Sequence, residues 1–244
     1  MTLVIAQRKN GKVSLSADSR ISFGQNGTFD RAVKIFKVPV NIRGLSSKPE
    51  DFNKWEHELV YGIAVAGSAI NAYAMKDSLM EIVGRIQYMT NMSDISIVGI
   101  GKFVFQKFKE ISAMLAPILR EGGLAEILFS GYCVVEKRVR VLRLYPNPTA
   151  ESIEYKAEEI LLEDGLYFSG SGKDAAEQIH EQNPNFSPLR IIKSVIDQNL
   201  DPKVGGLLQT GGFPQTNFKL TGIKERVKDE KGNESMFIHY LGFD

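Results

Sequence analysis

Residues 1–24 read MTLVIAQRKNGKVSLSADSRISFG and residues 30–38 read DRAVKIFKV, and the interpretation of the whole chain starts from these two stretches. Two β-prone runs flank Asn10-Gly11, the dipeptide most typical of a tight β-hairpin. In the second stretch apolar residues alternate with lysines, which predicts a third strand in which Lys34 faces away from its apolar neighbours. The chain is therefore expected to begin with three strands.

Three side chains at the ends of these strands could form a catalytic site. Thr2 becomes the first residue once Met1 is removed, and a free α-amine has a pKa of about 8. Such an amine can accept the hydroxyl proton of its own residue, directly or through water, and so activate the nucleophile without a histidine. A lysine ammonium would lower the pKa of both groups, and a carboxylate would hold that lysine in place. Lys34 and Asp18 supply these groups if they lie on neighbouring strands.

Other catalytic arrangements have little support in the sequence. The three histidines are not next to a serine or cysteine motif, and the chain has no G-x-S-x-G sequence. No cysteines and histidines have the spacing of metal ligands. Gly170-Ser171-Gly172 lacks the full pattern of a phosphate-binding loop. We therefore expect that the protein uses no metal and no organic cofactor.

Composition narrows the function classes further. The formal net charge of +1 argues against nucleic acid or an acidic membrane surface as a partner. No apolar stretch approaches the roughly 20 residues of a membrane helix, and we see no signal peptide. The single cysteine, Cys133, cannot form an internal disulfide, which suits a reducing compartment. We expect a cytoplasmic protein with neither nucleic-acid nor membrane partners.

Downstream of residue 38 the pattern alternates between groups of strands and pairs of helices. We predict a charged excursion over residues 39–58, with a helical turn near residues 52–57. The order of strands, two helices, strands, two helices and strands predicts an α+β protein. Two mainly antiparallel sheets stacked in the middle, with a helix pair on each outer side, would bury the most apolar surface. We expect this four-layer αββα sandwich to form one domain over residues 1–244.

The spacing around Thr2 also resembles that of a known family. Asp18, Arg20 and Lys34 follow Thr2 at offsets of 16, 18 and 32 residues. This pattern is similar to that of proteasome β-subunit-like N-terminal-nucleophile (Ntn) hydrolases, and the chain resembles a bacterial proteasome-like threonine peptidase. The resemblance implies that Thr2 is the nucleophile, that Lys34 lowers pKa values with Asp18 as its partner, and that Arg20 supports the site.

Three later segments extend the resemblance. Val65-Ala66-Gly67 before a helix resembles the segment whose glycine N–H forms the oxyanion hole, which gives Gly67 that role. Gly170-Ser171-Gly172 resembles the family's Gly-Ser-Gly and places Ser171 near the nucleophile. Residues 201–206 resemble Asp-x-x-Ser-Gly-Gly and give Asp201 the place of the second aspartate, but Val204 stands where the family has serine. This departure removes one hydroxyl from the surroundings of the α-amine.

The resemblance also implies a substrate and partners. It assigns an apolar primary specificity pocket and hence an uncharged substrate side chain. The substrate would be a peptide or protein, and the sites would be enclosed in a homo-oligomeric ring fed by an ATPase. The residues that would line the pocket are Ile21, Ala32, Phe36, Val65 and Ala69.

Several alternatives remain open from the sequence alone. The chain could be a non-catalytic, proteasome-like structural subunit, which the missing serine favours, or an amide hydrolase for small molecules on the same fold. Asp18 and Arg20 could form only an ion pair at a turn. Lys34 could be a solvated edge charge, Ser171 a helix cap, and Asp201 part of a turn.

Overall fold

The computed structural model describes residues 2–22, 27–43, 55–83, 96–149, 152–228 and 234–239. The helices are α1 (Ala69–Val83), α2 (Ile97–Leu119), α3 (Lys173–Gln182) and α4 (Pro188–Asp197), and a 3₁₀ turn over Arg120–Gly123 follows α2. The strands are β1 (Leu3–Lys9), β2 (Lys12–Ala17), β3 (Ile21–Ser22), β4 (Thr28–Phe29), β5 (Ile35–Arg43), β6 (Trp55–Gly67), β7 (Ala125–Cys133), β8 (Arg138–Pro148), β9 (Ile153–Ile160), β10 (Gly165–Gly170), β11 (Gln209–Gly212), β12 (Lys219–Thr221), β13 (Ile223–Lys228) and β14 (Glu234–His239).

Two five-stranded sheets carry most of these strands. The first sheet has the order β10-β1-β2-β11-β12 and the second has the order β5-β6-β7-β8-β9. Every pairing in both sheets is antiparallel. Two small hairpins, β3-β4 and β13-β14, complete the described strands. The expected mixture of helices and antiparallel sheets is confirmed.

The hairpin at the start of the chain forms as predicted. Asn10 and Gly11 have φ values of 51° and 73°, and Lys9 pairs with Lys12 across the turn. A two-residue turn with both φ values positive matches the twist of the strands that it joins. This register places Val4 opposite Ala17, so Thr2 and Asp18 leave the hairpin side by side at its open end.

Three buried clusters of apolar side chains hold the elements together. One cluster contains residues of both sheets, among them Val4 and Leu128. A second joins the second sheet to α1 and α2, and includes Phe108. The third joins the first sheet to α3 and α4, and includes Leu3 and Ile192. Each sheet therefore shares one buried cluster with the other sheet and another with a pair of helices.

The predicted excursion over residues 39–58 is wrong where the structure describes it. β5 continues to Arg43, and β6 already begins at Trp55, so residues 55–57 are strand and not a helical turn. Pro39 was misleading because proline usually interrupts a strand, yet an edge strand such as β5 tolerates it. Residues 44–54, including the start of the predicted turn, lie outside the described residues.

Two smaller differences concern short strands. The short strands β3 and β4 were not predicted from the sequence; Ile21 pairs with Phe29 and Ser22 with Thr28. β11 was not predicted, because half of its four residues are glycine, which is depleted in strands. The predicted turn over residues 229–233 lies outside the described residues. None of the described helices is long and apolar enough to cross a lipid bilayer.

Candidate active site

Thr2, Asp18 and Lys34 meet at the open end of the first hairpin. Thr2 Oγ1 donates to Asp18 Oδ1 at 2.6 Å, and Lys34 Nζ lies 2.7 Å from the same carboxylate oxygen. Lys34 Nζ also donates a hydrogen bond to Thr2 Oγ1. The exposed fractions of the three residues are 2%, 0% and 4%. A hydroxyl, an ammonium and a carboxylate are thus in mutual contact and shielded from water, as the strand pattern predicted.

Backbone N–H groups fix the Asp18 carboxylate. Oδ1 accepts from Leu3 N at 2.9 Å, while Oδ2 accepts from Arg20 N at 3.1 Å and Gly205 N at 3.0 Å. Hydrogen bonds to a charged carboxylate are the stronger kind, and they replace the water lost on burial. Asp18 is therefore held as a rigid anion against Lys34.

Lys34 is a buried cation whose pKa reflects that position. Burial lowers the pKa of its ammonium from the ordinary value of 10.5, and the neighbouring Asp18 carboxylate opposes this shift. Its backbone is also fixed, since Lys34 N donates to Gln209 Oε1 at 2.9 Å and Lys34 O accepts from Val65 N at 3.0 Å. Gln209 Nε2 in turn donates to Ala32 O. Gln209 was missed by the sequence analysis, because its strand was not predicted.

The Arg20 side chain forms its ion pair with Asp30 and not with Asp18. Its guanidinium binds both carboxylate oxygens of Asp30, at 2.6 and 2.8 Å, whereas only its backbone N–H contacts Asp18. Arg20 Nη1 also donates to Pro202 O at 3.1 Å. A Cβ added to Gly205 would lie 2.3 Å from Arg20 Cζ, so a larger residue here would displace the Arg20 guanidinium. The motif at residues 201–206 is thereby packed against the catalytic candidates.

A narrow pocket of about 20 Å³ opens beside these groups, and Thr2, Lys34 and Gly67 all line it. Gly67 has a φ of +95°, and an added Cβ would lie 2.6 Å from Leu124 O. The turn between β6 and α1 therefore needs glycine at this point. The next residue, Ser68, accepts from Asn71 N at 3.3 Å and caps α1.

Three of the five residues that the resemblance assigned to the specificity pocket line the pocket beside Thr2. Ile21, Val65 and Ala69 line it, whereas Ala32 and Phe36 are not among its lining residues. Phe36 instead packs edge-on against Tyr73, with ring centroids 5.9 Å apart. The lining residues not named from the sequence are Val33, Ala66, Ser68, Ala72 and Tyr73.

The later motif residues differ in how closely they approach Thr2. The turn after β10 is in contact with it, because Gly172 N donates to Thr2 O at 3.4 Å and a Cβ on Gly170 would lie 2.0 Å from the same oxygen. Ser171, between these glycines, is exposed to solvent. Asp201 Oδ1 accepts from the N–H of residue 203 at 2.9 Å and so caps its own turn.

Val204, which stands where the family pattern has serine, is packed in the apolar core beside the turn after β10. It is 2% exposed and belongs to the apolar cluster between the first sheet and α3 and α4. A Cβ added to Gly172 would lie 2.6 Å from Val204 Cγ2. The position that holds serine in the family pattern is therefore used here for packing.

Among the residues that the structure describes, no three His, Cys, Asp or Glu side chains are grouped so that they could hold a metal ion.

Solved structures with the same fold include Anbu proteins from three bacteria. Anbu (ancestral beta-subunit) from Yersinia bercovieri has a TM-score of 0.60 and 13% sequence identity, over 89% of this chain and 82% of that chain. The helical assembly of the Anbu complex from Pseudomonas aeruginosa gives 0.62 and 13%, over 90% and 85%. The Gly-1 mutant of Anbu from Hyphomicrobium sp. strain MC1 gives 0.59 and 14%, over 100% and 88%. No protein-family model and no curated protein matches the chain.

These comparisons correct the family suggested by the sequence. The resemblance to a bacterial proteasome β-subunit-like threonine peptidase is wrong as a family assignment, because the matching structures are Anbu proteins, which have a proteasome-like fold but form a distinct family. The offsets from Thr2 follow from the lengths of β1, β2 and the connection to β5, which belong to the fold. At identities of 13–14% the likeness shows the fold alone.

Proposed function

We propose that the protein, once Met1 is removed, is an N-terminal threonine amidohydrolase that cleaves peptide bonds. The observation that carries this proposal is the contact of Thr2 Oγ1 with both Lys34 Nζ and Asp18 Oδ1 at the edge of an apolar pocket. A hydroxyl placed between an ammonium and a carboxylate, away from bulk water, is suited to nucleophilic attack.

The reaction would proceed in two stages. The α-amine of Thr2 takes the hydroxyl proton while Oγ1 attacks the substrate carbonyl carbon, and the protonated amine then gives that proton to the leaving amine. The resulting ester on Oγ1 is hydrolysed by water, with the α-amine again acting as the base. The products are a carboxylic acid and an amine, and Thr2 is regenerated.

The surrounding residues stabilise charge at each stage. The Lys34 ammonium lies against the oxygen that becomes negative, and Asp18 keeps this ammonium in place. Gly67 N–H is the candidate oxyanion donor, and one such donor is typically worth about 3 kcal/mol of barrier. Ser171 and Asp201 are assigned to orientation of the α-amine. For Asp201 this needs its carboxylate to release the turn at residue 203.

The pocket lining supports an uncharged substrate side chain. Ile21, Val33, Val65 and Ala69 are apolar, and the Tyr73 hydroxyl is directed to Val33 O at 3.2 Å. Of the described residues that line the pocket, Lys34 alone is charged, and it forms an ion pair with Asp18. A small apolar side chain suits a pocket as narrow as this one, whose volume is about 20 Å³.

Further features of the proposal concern fold and assembly. We assign residues 1–244 to one domain with the four-layer order of helices, sheet, sheet and helices, which the three buried clusters support. Homo-oligomerisation is supported by the helical assembly of the Pseudomonas aeruginosa Anbu complex. A closed ring, an ATPase partner and a cytoplasmic location remain predictions from the sequence.

A non-catalytic subunit is the second candidate, favoured by buried Val204 and by the engagement of Asp201 in its own turn. Hydrolysis of a peptide library by protein whose intact mass shows loss of Met1 separates the two, with Thr2→Val as the matched control. Cleavage by the native chain alone supports the enzyme. If simple acylated amines are hydrolysed and peptides are not, the substrate is a small amide. Equal turnover by both proteins would defeat the proposal.

A further inference from the structure

A larger cleft opens at the other end of the sheets, away from Thr2. Thr2 immediately precedes β1, whereas Arg8 lies near the last residue of that strand. We call this space the far cleft; its volume is about 510 Å³, and its lining includes Arg8, Lys12, Tyr132, Lys137, Leu162 and Phe213. It is bounded by the β1-β2 and β7-β8 turns and by the connections from β9 to β10 and from β11 to β12. Its size is within the range of small-molecule sites.

Arg8 places a buried positive charge in this cleft. Only 6% of the residue is exposed, and its guanidinium donates to the backbone carbonyls of Leu161 at 2.5 Å, Val139 at 2.6 Å and Gly11 at 3.5 Å. Within the described ranges, no carboxylate forms an ion pair with it. Buried guanidinium groups are normally paired with an acid. Burial, together with nearby Arg138, lowers the pKa of Arg8, although Glu159 and Asp164 oppose this.

The rim of the far cleft adds further positive charge. Lys12 and Lys137 are exposed, and neither forms an ion pair with any residue that the structure describes. On the acidic side, the Asp164 carboxylate is engaged by Asn10 N at 2.6 Å and by the N–H of Gly11 at 3.4 Å. Glu163 is the remaining acid of the lining. The cleft therefore contains three cations without an acidic partner among the described residues, Arg8, Lys12 and Lys137, and one carboxylate that is not engaged, that of Glu163.

The walls of the cleft are apolar. Tyr132 and Phe213 contribute aromatic rings, and Leu162 is 62% exposed although it is a large apolar residue. Exposed apolar surface beside unpaired cations is the combination that binds an amphipathic anion. We propose that the far cleft binds a small organic anion, with its carboxylate or phosphate group against Arg8, Lys12 and Lys137 and its apolar or aromatic body against these walls.

Arg8 also has a structural role, so the test must leave it unchanged. Its hydrogen bonds join the β1-β2 turn, strand β8 and the connection from β9 to β10, where Leu161 has a left-handed conformation with φ 55°. Lys12 and Lys137 carry no such duty in the described structure. The informative variant is therefore Lys12→Gln/Lys137→Gln. Lys9→Gln is the matched control, because Lys9 is on the same hairpin but does not line the cleft.

The experiment is isothermal titration of the full chain with phenyl phosphate, with phenylacetate and with uncharged phenylacetamide. It does not depend on removal of Met1 or on catalysis, so its outcome is separate from that of the proposed function. We expect one saturable site for at least one anion, weaker by about tenfold or more in the double variant and within about twofold of native in Lys9→Gln. Binding should weaken with added salt.

Each outcome decides the proposal. If only phenyl phosphate binds, the cleft is a phosphate site, and if only phenylacetate binds, it is a carboxylate site. If both bind, the cleft recognises the negative charge and not the kind of anionic group. The proposal is overturned if phenylacetamide binds as tightly as the anions or if the double variant keeps native affinity. It is equally overturned if neither anion saturates the protein below about 10 mM.

Discussion

The two ends of the β1 strand each hold a buried cation, and their surroundings differ. At the near end Lys34 contacts the Asp18 carboxylate and the Thr2 hydroxyl. At the far end the Arg8 guanidinium donates to three backbone carbonyls and, among the residues that the structure describes, to no carboxylate. A charge balanced by a fixed acid polarises a neighbouring hydroxyl without attracting further ions. A charge balanced only by dipoles remains able to attract an anion from solution.

The difference is expected to appear most strongly when each cation is removed. Lys34→Met leaves the buried Asp18 carboxylate without its partner, which should lower the free energy of unfolding by about 3–5 kcal/mol. Arg8→Met leaves carbonyl groups unsatisfied but no charge, and should cost about 1–3 kcal/mol. Urea denaturation of both variants measures the two values. An equal or larger loss in Arg8→Met would break the comparison.

The next largest loss of stability is expected when the packing around the Asp18 carboxylate is disturbed. Gly205→Ala places a Cβ against the Arg20 guanidinium and displaces the N–H that holds Asp18, so we expect a loss of about 1–3 kcal/mol. Gly165→Ala is the control at the far end of the sheet, where an added Cβ meets no atom within 4 Å. That variant should stay within about 0.5 kcal/mol of native in the same denaturation experiment.

The pocket beside Thr2 should select substrates by the size of the side chain that enters it. Tyr73→Ala removes one wall of the pocket, so the ratio of kcat/KM for large over small apolar side chains should rise about tenfold. Tyr73→Phe keeps the ring and loses only the hydrogen bond to Val33 O, so the same ratio should move less. A larger change in Tyr73→Phe than in Tyr73→Ala would show that the hydroxyl, and not the ring, determines selectivity.

The smallest expected effect is a pH dependence of stability from Lys34. Its pKa is lower in the folded protein than the ordinary value of 10.5, because burial disfavours the ammonium more than Asp18 favours it. The unfolded chain therefore binds more protons between the folded pKa and 10.5, and the contribution of Lys34 to stability rises with pH in that window.

Denaturation at about pH 7 and about pH 10 measures this contribution as the difference between native protein and Lys34→Met. The native protein should gain stability relative to the variant as the pH rises. A relative loss over the same interval would mean that Asp18 outweighs burial and that the pKa of Lys34 is raised.

Much of the near end could be predicted from sequence because local patterns determine it. Asn10-Gly11 sets the register of the first hairpin, and strand alternation directs Thr2, Asp18 and Lys34 to one place. The starts of α1 and α4 are also determined locally, since Ser68 and Ser187 accept from the N–H groups of residues 71 and 190.

The remaining features depend on contacts between distant parts of the chain. Gln209 lies on a strand rich in glycine, so no local signal indicated that it binds the backbone around Lys34. Asp30 becomes the partner of Arg20 only when the intervening segment folds back through the β3-β4 pair. The far cleft is formed by four separate connections, those of β1-β2, β7-β8, β9-β10 and β11-β12, none of which has a motif of its own.

The central claim is that Thr2 is a reactive nucleophile with its own free amine. It is tested most directly by treating protein that has lost Met1 with an electrophile whose stable adduct requires both a hydroxyl and a neighbouring amine, followed by peptide mapping. The account predicts a single adduct on Thr2, absent from Thr2→Val and slowed by about a thousandfold in Lys34→Met. No adduct on the native protein, or an adduct at any other residue, would contradict it.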